Sequence, residues 1–356
     1  MKNKSFYLSG LEGWRAISIL LVIFSHLASQ FDVGLFYDFS LLLKKIKIDT
    51  HGFGRKGVQI FFCISGFLIF SRILVEIKKF GNFSIKEFFI RRFFRIFPPM
   101  YFFLLFYLIL AIFGKGISIK ETLASMGFLR IWWPLDDTGW SWYTAHIWSL
   151  CMEEYFYIGL SLYVLSFSLR SLKLVSFLSL IVLIIFSLAV WRVPAIKYFE
   201  YQYYLKDFIE FKFMAAGVLA AFLRLSDHKI NAFLKKYQLG FTSIMIAFTL
   251  FNLPIESVLY PLVVALGILS TSMSVNKFLS PLLENRFCVF IGLISYSLYL
   301  WQQFWIPWFD SHIEEIRLLQ TPPLSIIFIL LSACFSYYFI EKPMIKFGRR
   351  YVSRKI

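Results

Sequence analysis

Charged residues are scarce in this chain: 16% of its 356 residues are Asp, Glu, Lys or Arg, whereas 59% are hydrophobic. The mean hydropathy is +0.69. A soluble domain of this length cannot bury so much apolar surface, because geometry limits the volume of its core. The composition therefore excludes a soluble protein and predicts an all-α, polytopic bundle of transmembrane helices.

Acidic residues are especially few: 21 Asp and Glu stand against 37 Lys and Arg, which gives a net charge of +16. A basic patch that binds nucleic acid would lie on a soluble face of the protein. Here the Lys and Arg residues fall mainly between apolar runs, as the positive-inside rule requires of a multi-span protein. We therefore expect membrane lipids, and no nucleic acid, among its partners.

Cysteine is also rare. The four cysteines lie in apolar stretches and show no CxxC spacing; they are Cys63, Cys151, Cys288 and Cys334. This pattern indicates small buried hydrophobic residues and suggests neither a disulfide nor a metal site. No small-x-small cleavage site follows the first apolar run, so we expect a retained span there rather than a signal peptide.

Long apolar runs, by contrast, are abundant, and each is near the length that a helix needs to cross the hydrocarbon layer. There are ten, at roughly 14–31, 57–75, 97–114, 150–168, 174–191, 208–225, 238–253, 258–275, 287–308 and 324–341. An even number puts both termini on one side, and the side richer in Lys and Arg is cytoplasmic. The sequence thus predicts a membrane domain over 1–343 and a basic cytoplasmic tail over 344–356, in the inner membrane of the cell.

The first of these runs contains two ionisable residues, Arg15 and His26, which are eleven positions apart. Eleven residues make almost a whole number of helical turns, so both side chains share one helix face, with His26 about 16 Å further along the axis. Ionisable groups within spans are rare and usually functional. Alternatively, Arg15 anchors the helix at the interface and His26 hydrogen-bonds to a neighbouring helix.

The segment 86–99, KEFFIRRFFRIFPP, places three arginines on one stretch of helix: Arg91, Arg92 and Arg95. Planar, forked guanidinium groups in such a cluster are suited to binding phosphates. The alternative is an interfacial amphipathic helix that rests on anionic lipid.

Two adjacent carboxylates, Glu153 and Glu154, lie in the span that opens HIWSLCMEEYFYIG. A carboxylate at the depth of His26 would orient the imidazole and raise its basicity, and we select Glu153 for this role. The alternative is one Glu at the helix start and the other in a water-filled cavity.

In the second span, Ser65 and Gly66 lie near the middle, where glycine permits close approach of a helix or a ligand.

The preceding stretch, IWWPLDDTGWSWYTAH, is rich in tryptophan and also contains Asp136 and Asp137. Its tryptophans are Trp132, Trp133, Trp140 and Trp142. Aromatic faces beside carboxylates suit sugar rings, which offer C–H faces for stacking and hydroxyls for hydrogen bonds. The alternative is an aromatic belt at the membrane boundary.

Together these features resemble the acyltransferase-3 family, integral-membrane enzymes that O-acylate extracellular polysaccharides and other small acceptors. The family's Arg-x10-His pattern falls on Arg15 and His26, and its pattern G-V-x-I-F-F-x-I-S-G-F falls on 57–67. The pattern R-x-x-R-I-x-P begins at Arg92 and contains Arg95. The other patterns are H-x-W-S-L-x-x-E-E-x-F-Y from His146 to Tyr157, S-Y-S-L-Y-L-W from Ser295 to Trp301, and I-E-x-P from Ile340 to Pro343.

The resemblance implies acyl-CoA, most often acetyl-CoA, as the donor and a sugar hydroxyl as the acceptor, with no metal. It implies a donor site at Arg92, Arg95, Ser65 and Gly66. It implies an acceptor site at Trp140, Trp142, Asp136, Asp137, His146, Trp148 and Tyr296. The chain departs from the family at Gln302, where many members have His. Many members also carry a C-terminal esterase-like domain, and we expect none here.

The leading hypothesis for the mechanism makes His26 a general base, oriented by Glu153, with Arg15 stabilising negative charge or positioning the donor. A close rival makes His26 a transient acyl carrier, which would relay the acyl group across the membrane. A transporter or flippase that uses Arg15, His26 and Glu153 as a proton relay is the alternative from another class, but no internally repeated halves are visible. A non-catalytic scaffold or sensor would leave the intramembrane His and Glu unexplained.

Overall fold

The structure is a computed structural model that describes residues 8, 10–30, 52–115, 117–132, 142–166, 172–192, 208–226, 228–251, 256–307 and 313–352. The regular elements in this part of the chain are helices. They are α1 (Leu11–Gln30), α2 (Gly52–Phe80), α3 (Ile85–Ile112), α4 (Ile119–Met126), α5 (Trp142–Ala145), α6 (Ile147–Ser166), α7 (Leu172–Arg192), α8 (Phe211–Ser226), α9 (His228–Lys236), α10 (Gln238–Leu250), α11 (Glu256–Ser272), α12 (Ser280–Leu283), α13 (Arg286–Trp305), α14 (Leu324–Ser336) and α15 (Lys342–Gly348). A π-helical turn, Tyr337–Glu341, joins α14 to α15.

Apolar runs fold as helices here because lipid offers no hydrogen-bond partner, so each backbone group must be satisfied within its own segment. Short polar side chains mark two helix starts. The Ser84 side chain accepts a hydrogen bond from the Glu87 backbone N–H, and that of Asn285 accepts one from the Cys288 N–H. The all-α class expected from the composition is confirmed for the described residues.

Five described helical stretches are long and apolar enough to cross a membrane, half the number that the sequence predicts. They are Leu11–Ala28, Gly52–Phe80, Ile85–Ile112, Arg286–Trp305 and Leu324–Tyr351. Three further apolar stretches are shorter than a span: Phe177–Phe186, Gln238–Leu250 and Val258–Thr271. The chain therefore has the helices of a multi-pass membrane protein.

Helix α3 begins at Ile85 and continues through Pro98 and Pro99, well before the predicted stretch 97–114. Membrane helices tolerate proline because neighbouring groups satisfy the freed carbonyls. The arginine segment 86–99 is therefore the first part of a spanning helix and not a separate interfacial one.

Helix α2 lies at the centre of the bundle, packed against α1 and α8, and α1 also packs along α13. Glycine allows the closest approach: a Cβ on Gly66 would overlap the carbonyl oxygen of Met214 on α8, and one on Gly292 would overlap that of Glu12 on α1. The contact of Gly57 with Ser18 shows that the first part of α2 packs against the middle of α1. These contacts fix how α1, α2 and α13 surround the site.

Candidate active site

A cavity lies between helices α1, α2, α3, α6 and α13. Its polar lining consists of Arg15, Ser65, Arg72, Glu76, Arg91, Arg92, Arg95, Ser149, Glu153, Ser295, Tyr296 and Tyr299. Its apolar lining consists of Val58, Phe61, Phe62, Ile64, Leu68, Ile73, Phe83, Phe88, Ile96 and Leu150. The cavity thus brings residues from the first, second, fourth and ninth predicted spans, and from the arginine segment before the third, to one site.

One end of the cavity, here called the arginine end, contains Arg72, Arg91, Arg92 and Arg95. Arg91 is neutralised, because its guanidinium pairs with Glu76 at 2.9 Å and with Glu87 at 3.5 Å. Within the described residues, neither Arg72 nor Arg95 forms an ion pair with a carboxylate. The arginine end therefore presents guanidinium groups that no carboxylate of the described residues holds in an ion pair, which is the chemistry of a site for a polyanion.

Arg92 is held by an aromatic partner. Its guanidinium lies 4.4 Å from the centroid of the Tyr157 ring, and its Nη1 is 3.4 Å from the Tyr157 hydroxyl. That hydroxyl donates to Glu153 Oε2 at 2.8 Å, and the Ser65 hydroxyl donates to Glu153 Oε1 at 2.7 Å. Glu153 therefore fixes Tyr157 and, through it, Arg92.

This arrangement corrects the expectation that Glu153 orients His26, because both carboxylate oxygens of Glu153 are engaged elsewhere. His26 instead faces α13, where its Nδ1 is hydrogen-bonded to the side-chain oxygen of Gln302. Sequence spacing placed the imidazole on a helix face, but the residue that faces it is 276 positions away.

A second histidine has the same kind of partner. His146 Nδ1 lies 2.5 Å from Gln303 Oε1, which also accepts the His146 backbone N–H at 3.2 Å. Together with Trp142, whose ring meets the His26 ring edge-on at 5.0 Å, these residues form what we call the histidine layer: His26, His146, Trp142, Gln302 and Gln303.

The glutamines determine which nitrogen of each ring is protonated. An amide oxygen only accepts, so a ring nitrogen bonded to it must carry the proton. Each Nδ1 is therefore the donor, and each Nε2 carries the lone pair. Among the described residues, the buried His146 Nε2 has no hydrogen-bond partner.

Two hydroxyls connect the cavity with the histidine layer. Ser149 and Tyr299 line the cavity, and their oxygens are 2.7 Å apart. Tyr299 is one turn before Gln302 on α13, and Ser149 is one turn after His146, so each lies next to the histidine layer on its own helix.

Several predicted site residues have other roles in the structure. Gly66 does not line the cavity, because it packs against α8. Trp142 donates to the carbonyl oxygens of Gln303 and Ile306 at 3.2 and 2.8 Å, so its indole N–H is used within the protein. Trp148 packs edge-on against Phe62 at 5.9 Å.

Among the described residues of the predicted acceptor site, Trp142 and His146 lie together in the histidine layer, whereas Tyr296 lies elsewhere. Tyr296 lines the cavity, but its hydroxyl donates to the Ile96 carbonyl at 2.8 Å on α3, beside the arginine end. Trp132 is half exposed and donates to the Tyr155 hydroxyl at 3.0 Å. Trp133, Asp136, Asp137 and Trp140 lie outside the described residues.

The two residues of the predicted catalytic pair lie in different places, one in the cavity lining and the other in the histidine layer. Arg15 lines the cavity and pairs with Glu12 at 3.0 Å, whereas His26 belongs to the histidine layer. The sequence analysis missed Arg72 and Gln303 as site residues. Adjacent amides in the apolar run YLWQQFW were a usable signal, because polar side chains within spans need partners.

No group of three or more His, Cys, Asp or Glu residues in the described part of the chain is arranged to hold a metal ion. The polar groups that line the cavity are guanidinium groups, carboxylates and hydroxyls.

A family model described as "Acyltransferase domain" matches residues 8–341, nearly the whole chain. The chain belongs to the acyltransferase-3 family. This membership confirms the resemblance carried by the sequence patterns and places the chain in an enzyme class, which favours acyl transfer over a transporter or a scaffold.

Named relatives agree with this class. A Staphylococcus aureus (strain COL) protein named "Putative O-acetyltransferase" is 27% identical over 97% of this chain and 58% of its own length. The peptidoglycan O-acetyltransferase OatA of Listeria monocytogenes is 28% identical over 96% of this chain and 56% of its own length. The chain thus spans little more than half the length of these relatives. No solved structure matches it.

Proposed function

We propose that this protein is an integral-membrane O-acyltransferase of the cytoplasmic membrane. It moves an acyl group, most simply acetyl, from acyl-CoA to a hydroxyl of a cell-surface or lipid-linked glycan. The names of the relatives support the acetyl group and a glycan acceptor, one of them specifying peptidoglycan.

The observation that carries the proposal is the cavity itself, which contains the arginine end and whose lining residues Ser149 and Tyr299 adjoin the histidine layer. CoA is a polyanion with a long, uncharged arm that ends in the thioester. Arg72, Arg92 and Arg95 supply donors for its phosphates at the arginine end. The thioester then lies toward Ser149 and Tyr299, next to His26.

In the proposed reaction, His26 Nε2 takes the proton of the acceptor hydroxyl as that oxygen attacks the thioester carbonyl carbon. The tetrahedral intermediate collapses, the carbon–sulfur bond breaks, and the imidazolium returns the proton to the CoA thiolate. Gln302 keeps the imidazole in the reactive tautomer. Arg15, about 16 Å from His26 along α1, positions the donor and does not act at the reacting carbonyl.

The rival route makes His26 the first acyl acceptor. Its Nε2 would displace CoA and hold the acyl group until the acceptor hydroxyl takes it. Release of one CoA per protein in the absence of acceptor would establish this route, whereas direct transfer gives no such burst.

We further propose ten spans with both termini in the cytoplasm, which puts the arginine end on the side where acyl-CoA is made and the histidine layer toward the outside. Helix directions support this: Gln302 and Gly292 of α13 meet His26 and Glu12 of α1 in the same order, so the two helices run parallel.

Sidedness is testable with single cysteines at two exposed lysines, Lys86 at the start of α3 and Lys120 on α4. The parent carries Cys334→Ser, because Cys334 is only half-buried while the other three cysteines are buried. We expect Lys120→Cys to react with an impermeant thiol reagent in intact cells and Lys86→Cys to react only after lysis. The reverse labelling would put the arginine end outside, and equal labelling would refute the ten-span count.

The role of Glu153 is testable by Glu153→Gln, which keeps the shape of the side chain but removes its charge. We expect the KM for acetyl-CoA to rise about tenfold, because hydrogen bonds to a charged group contribute ~1.5–3 kcal/mol, while kcat changes little. Tyr157→Phe should move KM in the same direction. A fall in kcat at constant KM would instead support a direct action of Glu153 on His26.

The function is tested with purified protein in lipid nanodiscs by measuring CoA thiol release from acetyl-CoA with and without soluble peptidoglycan fragments. We expect faster release with the fragments, together with alkali-labile acetate on the glycan. Failure to bind or consume acetyl-CoA would contradict the proposal.

A further inference from the structure

The hydroxyls of Ser149 and Tyr299 lie where the cavity meets the histidine layer, and both side chains are almost fully buried. Both face the same backbone carbonyl: the His146 oxygen accepts from Tyr299 OH at 3.0 Å and from Ser149 Oγ at 3.1 Å. It also accepts the Ser149 backbone N–H at 3.3 Å.

The two hydroxyls have two protons for three contacts: one contact of each oxygen with the His146 carbonyl, and one between the two oxygens. When Ser149 donates to Tyr299, the Tyr299 proton can turn from the His146 carbonyl toward a new acceptor in the cavity. The carbonyl then keeps the Ser149 backbone N–H at 3.3 Å. Since the two hydroxyl oxygens are 2.7 Å apart, either of them can support the other as it turns.

The position of the pair matches a carbonyl placed for attack. Tyr299 and Gln302 are one turn apart on α13, and such neighbours have Cβ atoms about 5–6 Å apart. Gln302 holds His26. Ser149 and Tyr299 line the cavity whereas His26 and Gln302 do not, so the hydroxyl pair lies on the cavity side of the imidazole.

We propose that Tyr299 and Ser149 are an oxyanion-binding pair for the acyl thioester, an inference that rests on the proposed function. Tyr299 O–H donates to the thioester carbonyl oxygen, with Ser149 as its supporting donor. When the acceptor oxygen bonds to the carbonyl carbon, the carbonyl π electrons move onto the thioester carbonyl oxygen. The hydrogen bond from Tyr299 to this oxygen shortens and stabilises its negative charge. The charge returns to the carbon–oxygen bond as the CoA thiolate leaves and takes the proton from His26.

The test compares Tyr299→Phe, Ser149→Ala and wild type in nanodiscs, with radiolabelled acetyl-CoA and soluble peptidoglycan fragments as probes. Loss of one oxyanion donor lowers kcat by ~10²–10³-fold, so we expect a fall of that size for Tyr299→Phe and a smaller fall for Ser149→Ala. The dissociation constant for acetyl-CoA should stay at the wild-type value in both variants.

Tyr260→Phe is the matched control. Tyr260 is also a buried tyrosine, and its hydroxyl is 3.0 Å from that of Thr249 on α10, away from the cavity. The control should keep the wild-type rate, which separates loss of any buried hydroxyl from loss of this one.

Three outcomes would overturn the inference. If the wild type is active and the Tyr299→Phe variant is equally active, the oxyanion-binding role is refuted while the proposed function stands. A parallel loss of rate and acetyl-CoA binding in both Tyr299→Phe and Ser149→Ala would show a packing role. If the wild type neither binds nor consumes acetyl-CoA, the proposed function fails and this inference fails with it.

Discussion

Replacing His26 by alanine is expected to lower acyl transfer by about 10²–10⁴-fold, the contribution of a positioned general base. The reason is geometric: Gln302 fixes Nδ1 as the donor, so Nε2 carries the lone pair within the histidine layer, which adjoins the cavity through Tyr299 and Ser149. Alanine removes that base while leaving the cavity lining unchanged. The measurement is the rate of alkali-labile acetate formation on glycan in nanodiscs.

Val22→Ala provides the control for His26→Ala. Val22 is buried on the same helix and packs toward Gly57 on α2, so its truncation disturbs α1 without touching the histidine layer. The control should retain most of the activity. A His26→Ala variant with similar activity would remove His26 from both the base and the acyl-carrier routes.

Removing both Arg92 and Arg95 is expected to raise the KM for acetyl-CoA by at least about 100-fold. Each charge-assisted bond to a phosphate contributes ~1.5–3 kcal/mol, and Arg95 forms no ion pair with a carboxylate in the described part of the chain. Single variants should show part of the effect. Arg95→Lys should recover little, because lysine lacks the planar fork.

Arg91→Ala is the informative comparison, since Arg91 adjoins Arg92 but pairs with Glu76 and Glu87. Its loss leaves Glu76, which is 1% exposed, without that cation, so we expect a lower yield of folded protein.

If Arg92 and Arg95 instead anchor the helix to anionic lipid, the Arg92→Ala/Arg95→Ala variant would be lost from the membrane fraction. The protein that remained in the membrane would keep its KM for acetyl-CoA.

The sequence predicted the all-α class and the placement of Arg92 and Arg95 on one stretch of helix, because both depend on local patterns. Apolar runs of about twenty residues define spans, and the spacing of Arg92 and Arg95 puts them on adjacent turns whatever packs against them. The first apolar run also placed Arg15 and His26 on one helix.

The partners of these residues were not predictable in the same way. Helical spacing gives the face of a helix but not the residue opposite, so His26 was matched with Glu153 when its partner is Gln302. Likewise, the sequence allowed either a ligand or a helix to approach Gly66. The structure shows that a helix does so, and this helix, α8, is about 150 residues away in the sequence. Both errors concern contacts between distant spans, which composition and periodicity do not contain.

The central claim is that the arginine end binds acetyl-CoA whereas the histidine layer catalyses acyl transfer. Measurement of acetyl-CoA binding tests this claim most directly. On one set of nanodisc preparations, the dissociation constant is measured for wild type, His26→Ala and the Arg92→Ala/Arg95→Ala double variant. We predict wild-type affinity for His26→Ala, despite its lost turnover, and an affinity at least about 100-fold weaker for the double variant. Full affinity in the double variant, or loss of affinity in His26→Ala, would contradict the account.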